Sequence, residues 1–378
     1  MRWCNNCVLP DSRPNLVIGH DGNCNACANH RSRKAIDWEA RERAFSSVVA
    51  SAKERSKGPY DCLIPVSGGK DSTWQVIKCL EYGLTPLCVT WRTPGRTTLG
   101  ERNLRNMIDL GVDHIDYTIN PVVERYFMRK TLEKAGDPAI PMHMAIFAIP
   151  LAIAASARIP LVIWGENSAF EYGGTEEESR GFRLDENWLK KFGVTHGTNW
   201  NDWTDKFLTS ARMAAYRRPT GEELDRSDVL AIFLGYYLPW DPDMTRRVAE
   251  AHGFKARDEG PLTGYYDYAD IDDDHVAVHH WFKWYKFGFT RLFDNLSLEI
   301  RNNRLSRADA IEIIRTRGDD TPYREIATLC EFLEISEDNF FEMASKFRNP
   351  SIWRQIDGVW QIPDFLIADW NWGAKHAG

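Results

Sequence analysis

The stretch DCLIPVSGGKDSTWQVIKCLEYG, from Asp61 to Gly83, reads as a strand, a glycine loop and a helix. A helix N-terminus exposes unpaired N–H groups and the positive end of the helix dipole, a ready anion site. Gly68 and Gly69 let the backbone turn sharply and approach an anion closely. Ser67 and Ser72 add hydroxyl donors, and Lys70 adds charge. Those residue types in that order hold phosphate. The bland alternative is a tight strand-to-helix turn with a capping serine. A Walker loop requires GxxxxGK followed by Ser or Thr, and here Lys70 is followed by Asp71. The loop therefore serves some phosphate chemistry in which an aspartate has work to do.

Four cysteines form a second constellation. Cys4, Cys7, Cys24 and Cys27 make CxxC, sixteen intervening residues and CxxC, the spacing of a structural zinc site. The alternative is two redox or disulfide pairs in a small knuckle, but no redox-fold pattern surrounds them. A four-thiolate site has no open position, so it is expected to hold structure rather than to catalyse. The adjoining Asp11, Arg13 and Pro14 are placed to touch a substrate or partner.

Far downstream, HHWFKWYKFGFTR puts His279, Lys283 and Lys286 at i, i+4 and i+7, one face of a helix. With Arg291 they suit a diphosphate, or else form a solvated basic face. Trp281, Trp284 and Tyr285, interleaved with them, are candidates for the core.

These groups need a scaffold. Apolar runs at 62–66, 86–91, 114–117 and 160–164 read as buried strands, separated by helical patterns at 72–82, 99–110 and 143–157. That alternation predicts an α/β fold, a parallel doubly wound sheet with helices on both faces. A last strand is expected over 229–238, and 275–347 reads as mostly helical. The expected organisation is a zinc-binding module (1–29), a helical linker (30–57), a loop-bearing α/β domain (58–265) with an insertion at about 175–222, and a helical C-terminal region (266–378). The chain of 378 residues has a formal charge of −7, which argues against a nucleic-acid partner. No signal-peptide pattern opens the sequence, and the apolar run at 145–157 is short for a span, so neither membrane contact nor export is expected. Cys62, Cys79 and Cys88 fall on predicted buried elements; a reducing cytoplasm is the simplest reading.

SGGKDS resembles the SGGxDS motif of the PP-loop ATP pyrophosphatases, members of the adenine-nucleotide α-hydrolase-like superfamily. The resemblance implies ATP as substrate, a loop that cradles pyrophosphate, and Asp71 helping to hold Mg²⁺ on the phosphates. Together with CNNCVLPDSRP, VIWGENSAFEYGG (162–174), HHWFKWYKFGFTR and RNPSIW (348–353), it resembles the N-acetyl sugar amidotransferases of surface-polysaccharide biosynthesis, the WbpG/PseA type. That family implies adenylation of a sugar acetamido oxygen, then attack by ammonia to give an acetamidino group. The ammonia is expected from a separate class I glutaminase subunit, since no glutaminase Cys–His pattern is visible here. Lys70, Asp71, Glu166 and Asn167 are the implied catalytic residues. Gly165, Asn167, Lys283, Lys286 and Arg291 are expected on the acetamido sugar or sugar nucleotide. Glu166 would bind Mg²⁺, orient ammonia or accept its proton, and Asn167 would hold the acetamido group. A tRNA-modifying PP-loop enzyme, a thiolase or lysidine synthetase, is the competing reading.

Overall fold

The computed structural model describes residues 1–175, 178 and 181–372. Five strands form one parallel sheet: β1 (Cys62–Pro65), β2 (Pro86–Trp91), β3 (Asp113–Tyr117), β4 (Leu161–Trp164) and β5 (Leu230–Phe233), in the order β3-β2-β1-β4-β5. The pairing runs Cys62 opposite Pro86, Leu63 opposite Val162, and Leu161 opposite Leu230. Apolar residues on both faces of the central strands explain why they are covered twice. Polar β3 lies at one edge, where a half-exposed strand tolerates Asp113, His114 and Asp116.

Helices α1 (Asn25–Ser32), α2 (Trp38–Arg55), α3 (Lys70–Glu81), α4 (Thr98–Ile108), α5 (Pro121–Ala135) and α6 (Ile140–Ala157) account for most of the first half. On one face of the sheet Val123, Phe127, Ile149 and Leu151 pack with Leu63 and Val162. On the other, Phe45, Val49, Trp74, Val76 and Leu104 pack with Cys62, Ile64 and Ile163. The segment expected as a linker is thus part of the sheet's cover. Phe45, Val49 and Ala52 recur at helical spacing and are buried, an apolar stripe that a solvated linker would not carry. Helix α5 had no counterpart in the sequence reading.

Helix α6 is longer than the apolar run suggested. Its 18 residues suffice by length and composition alone to cross a membrane, yet half of that span is buried in the protein, against β1, β2 and β4. A second correction falls at 229–238: the strand stops at Phe233, and α10 (Leu234–Tyr237) follows after α7 (Ser168–Tyr172), α8 (Glu186–Phe192) and α9 (Gly221–Arg226). The turn is held where Gly235 N donates to the Gly165 carbonyl, 3.1 Å away.

The insertion begins near residues 176, 177, 179 and 180, which lie outside the described residues. From Gly181 onward it is built of short helices and turns, with Trp203 and Tyr216 packed on Phe127. After α11 (Pro242–Ala251), the helices α12 (Asp274–Phe287), α13 (Arg291–Arg301), α14 (Arg307–Arg317), α15 (Tyr323–Leu333) and α16 (Glu337–Ser345) build a separate core. The region is not helical to its end: Arg354–Ile356 and Val359–Gln361 form a hairpin. Trp281, Trp284 and Tyr285 are buried in that core, and so are the four N-terminal cysteines. The two ends of the chain make one body.

Candidate active site

In a doubly wound sheet, ligands bind beyond the carboxyl ends of the strands, where the strand order reverses. Here that point lies between β1 and β4. The loop 67–72 leaves β1, and Gly165, Glu166 and Asn167 leave β4, so the topology brings two distant motifs side by side.

The loop is shaped by its own residues. Gly69 caps α3, and its carbonyl accepts from the Ser72 and Thr73 hydroxyls, each at 3.0 Å. Ser67 Oγ accepts from Gly69 N at 3.2 Å. Gly68 sits at φ +86°, and a Cβ there would lie 2.5 Å from the Leu104 backbone nitrogen, so α4 presses on the loop and only glycine fits. Lys70 pairs with Asp71 Oδ2, and its ammonium lies 5.8 Å from the Trp240 ring and 5.7 Å from Tyr268. Asp71 Oδ1 accepts from Thr245 Oγ1 at 2.9 Å and from Trp240 Nε1 at 3.1 Å.

This loop walls a cavity of about 210 Å³, shared with Glu166, Tyr172, Asp270, Asp272 and Arg291. Burial first, and the Asp71 carboxylate second, push Glu166 up to about 7. Burial, then Asp273, pushes Asp272 up to about 6. A cation would relieve both. Among the described residues only the four cysteines converge as a ready-made metal cluster. Mg²⁺ asks for less, one or two carboxylates plus phosphate oxygens, and Asp71 with Glu166 or Asp272 fits that demand.

Asn167 does not fit its expected role. Its amide donates to the Glu178 carbonyl at 3.0 Å and the Gly181 carbonyl at 3.3 Å. Its oxygen accepts from Ala169 N at 3.0 Å and Trp188 Nε1 at 2.9 Å. Every partner it could offer an acetamido group is engaged, so it positions the insertion instead. Gly165 lines neither this cavity nor the next, its carbonyl being bound by Gly235.

A second cavity, about 510 Å³, adjoins the first and shares Tyr172 and Arg291 with it. Arg13, Lys190, Lys191, Lys283, Lys286 and Arg291 line it, against one carboxylate, Asp137. The face read from the sequence is therefore real: His279, Lys283 and Lys286 meet in one place. Four of the six cations are steered by a buried acid. Asp294, fully buried, takes Arg13 at 2.8 Å and Lys283 at 2.9 Å. Asp137 takes His279 and His196, each at 3.0 Å, with Lys286 at 3.9 Å. Asp270 takes Arg291 at 3.0 Å. Although burial opposes it, these neighbours hold Asp137, Asp270 and Asp294 below the usual carboxylate range. The lining is thus cationic while Asp294 and Asp270, two of the balancing acids, do not themselves line the cavity.

The knuckle explains how Arg13 gets there. Cys4 and Cys27 sulfurs are 3.9 Å apart, and those of Cys7 and Cys24 are 3.7 Å apart. A tetrahedron with Zn–S of about 2.3 Å requires sulfur separations of about 3.8 Å, so the donor set fits zinc. Cys24 N donates to Cys4 Sγ at 3.2 Å and Asn6 Nδ2 to Cys27 Sγ at 3.3 Å, bonds that favour thiolates. Just beyond, Arg13 reaches Asp294, donates to the Tyr172 carbonyl at 2.9 Å and lies 4.8 Å from the Tyr172 ring.

Residues 259–366 match the family described as LPS biosynthesis protein WbpG-like, C-terminal domain. That segment is similar to the C-terminal domain of the WbpG-like proteins. Asp270, Asp272, Lys283, Lys286, Arg291 and Asp294 all lie in it, so the matched segment supplies Arg291, one of the two side chains shared by the cavities. Among solved structures, the NMN synthetase from Francisella tularensis is similar at 13% identity, over 59% of this chain and 98% of that one, with a TM-score of 0.27. No curated protein matches.

The sequence reading missed Asp137, His196, Tyr172, Trp240, Asp270, Asp272 and Asp294 as contributors. One signal was present: YYDYADIDDD, 265–274, alternates aromatic and acidic residues just ahead of the basic helix. Asp137 and His196 stand alone in their segments, and nothing local marks them.

Proposed function

We propose that this chain is an ATP-dependent amidotransferase of surface-polysaccharide biosynthesis, converting the acetamido group of a sugar to acetamidino. The observation that carries it is the pair of cavities meeting at Tyr172 and Arg291, one walled by SGGKDS and carboxylates, the other by six cations. ATP would seat its phosphates on the loop. Mg²⁺ held by Asp71 with Glu166 or Asp272 would neutralise phosphate charge. The acceptor fits the second cavity, and the cations there suit a sugar linked to a nucleoside diphosphate.

In this reading the acetamido oxygen attacks the α-phosphorus and pyrophosphate leaves. Lys70 and the N–H groups opening α3 stabilise the charge that develops on it. Ammonia then adds to the carbon, and AMP departs carrying the former amide oxygen. The product keeps the surplus proton as an amidinium. Tyr172, pushed up to about 12 by burial, stays a neutral donor at the junction. Glu166 is poised to take a proton near neutral pH.

The rival tRNA thiolation reading needs a reactive thiol near the loop. Cys62, Cys79, Cys88 and Cys330 are buried and line neither cavity, and burial raises Cys62 and Cys88. The deciding experiment incubates the purified chain with ATP, Mg²⁺, ammonium and a panel of acetamido sugars and sugar nucleotides. Mass spectrometry should find a product lighter by the difference between O and NH. Product with ammonium but not with glutamine alone supports a separate class I glutaminase as nitrogen source. Glutamine-dependent product from the isolated chain would remove that partner, and transfer to tRNA would remove the sugar assignment.

A further inference from the structure

The reaction proposed above has three substrates, and the structure has three cavities that meet at one side chain. Arg291 lines the loop cavity, the cationic cavity and a third of about 640 Å³. The third is the largest of them and has no role in the reading so far. It lies between residues 261–264, the buried face of α12, the start of α13 and the turn 319–322. His280 is shared between it and the cationic cavity.

We propose that this third cavity is the route by which ammonia reaches the adenylated carbon. The inference rests on the amidotransferase reading. Three observations carry it. First, ATP and the acceptor would fill the other two cavities, so a nucleophile arriving last needs a separate way to their junction. Second, the charge differs. Among the described residues six cations and one carboxylate line the acceptor cavity, the acids that pair Arg13, Lys283 and Arg291 not lining it, so the surface that ammonium would meet there is cationic. In the third, Arg257, Arg291, Arg317 and Arg324 are nearly balanced by Asp319, Asp320 and Glu325. Third, the wall between has a vacant acceptor. His280 Nε2 faces Asp270 at 3.5 Å, which puts the ring proton on that nitrogen. Nδ1 is then a bare lone pair, buried and, among the described residues, without a hydrogen-bond partner.

The species that enters is neutral ammonia, the proton of ammonium having been left on solvent water or buffer outside the cavity. Neutral ammonia passes Arg291, which repels the cation, and one of its N–H groups donates to His280 Nδ1. Its own lone pair stays free for the carbon. The C–N bond forms as the C–O bond to AMP breaks, and no oxidant or further reactant is required.

The test blocks the cavity without touching the other two. Thr263→Trp and Leu262→Trp both place bulk in residues that line the third cavity alone. Each variant is assayed for acceptor-dependent pyrophosphate release and for amidine formation against ammonium concentration. The expected result is an apparent KM for ammonium raised by about tenfold, with pyrophosphate release unchanged. Amidine formation at the original ammonium KM in both folded variants would overturn the route and leave the amidotransferase reading intact. If the unaltered protein releases no pyrophosphate with any acetamido acceptor, the reading falls first and takes the route with it.

Discussion

The loop cavity and the acceptor cavity touch, yet their electrostatics run in opposite directions. Around the loop, Glu166 and Asp272 are pushed up, because burial and neighbouring carboxylates outweigh the cations within reach. Around the acceptor cavity, Asp137 and Asp294 are held low, because lysine, arginine and histidine surround them. The first environment is short of positive charge and the second of negative charge. Neighbouring sites can thus be prepared for a metal–nucleotide and for an anionic acceptor within one small volume. The difference also separates what each site depends on: the loop rides on the sheet, and the acceptor cavity depends on the union of the chain's two ends.

The sharpest way to break that contrast is to remove the knuckle. Cys24→Ser, or prolonged chelation, should cost more than any other change, because metal binding and folding of such a site are one equilibrium. Elemental analysis should first find one zinc per chain; none, with freely titrating thiols, would sink the assignment. The damage should appear as lost solubility or a lower Tm.

Next in size is Asp294→Ala. It strands Arg13 and Lys283 without their buried partner, and about 3–5 kcal/mol of stability should go, read by urea denaturation. Lys70→Ala and Asp71→Ala should leave the melting curve nearly unchanged but slow pyrophosphate release by about 10²-fold or more, about 2.7 kcal/mol. Near-normal turnover in both would mean that the loop serves another purpose. Smaller still is Lys286→Ala. Loss of one cation from the acceptor wall should raise the acceptor KM by about tenfold while the KM for ATP holds, which separates the two cavities kinetically.

The mildest effect is a pH dependence that differs in sign between the cavities. Glu166 and Asp272 have folded values of about 7 and about 6, above the ordinary carboxylate range. Their contribution to stability is therefore complete in acid and is lost as pH rises through 6 to 7. Asp137 and Asp294, held low, contribute above the ordinary carboxylate range and lose that contribution as pH falls below it. Melting curves across this range should show the alkaline decline reduced in Glu166→Gln and reduced by Mg²⁺ with ATP. A decline untouched by both would remove Glu166 from the account.

Much of one site was legible and little of the other. SGGKDS and CxxC carry their chemistry in contiguous residues, because a helix N-terminus and a metal knuckle are local structures whose geometry follows from a few neighbouring dihedrals. The basic face of α12 was legible for the same reason, helical periodicity being a property of short range. Asn167 shows the limit. Its position after a strand was readable, but whether its amide was free depended on Glu178, Gly181 and Trp188, brought to it only by the fold of the insertion.

By itself, the sequence determined the strands, the phosphate loop, the four-cysteine knuckle and the cationic helix face, each settled by residue types at short spacing. The tertiary structure decided which of these meet. Strand order set SGGKDS beside Glu166, and a core shared between the chain's two ends carried Arg13 to Asp294. It also set Asp137 against His196 and His279, residues 59 and 142 positions away along the chain. Such pairings rest on long-range burial, in which a charged group accepts desolvation only where an opposite charge is waiting, and no local pattern in a sequence records where that partner will come from.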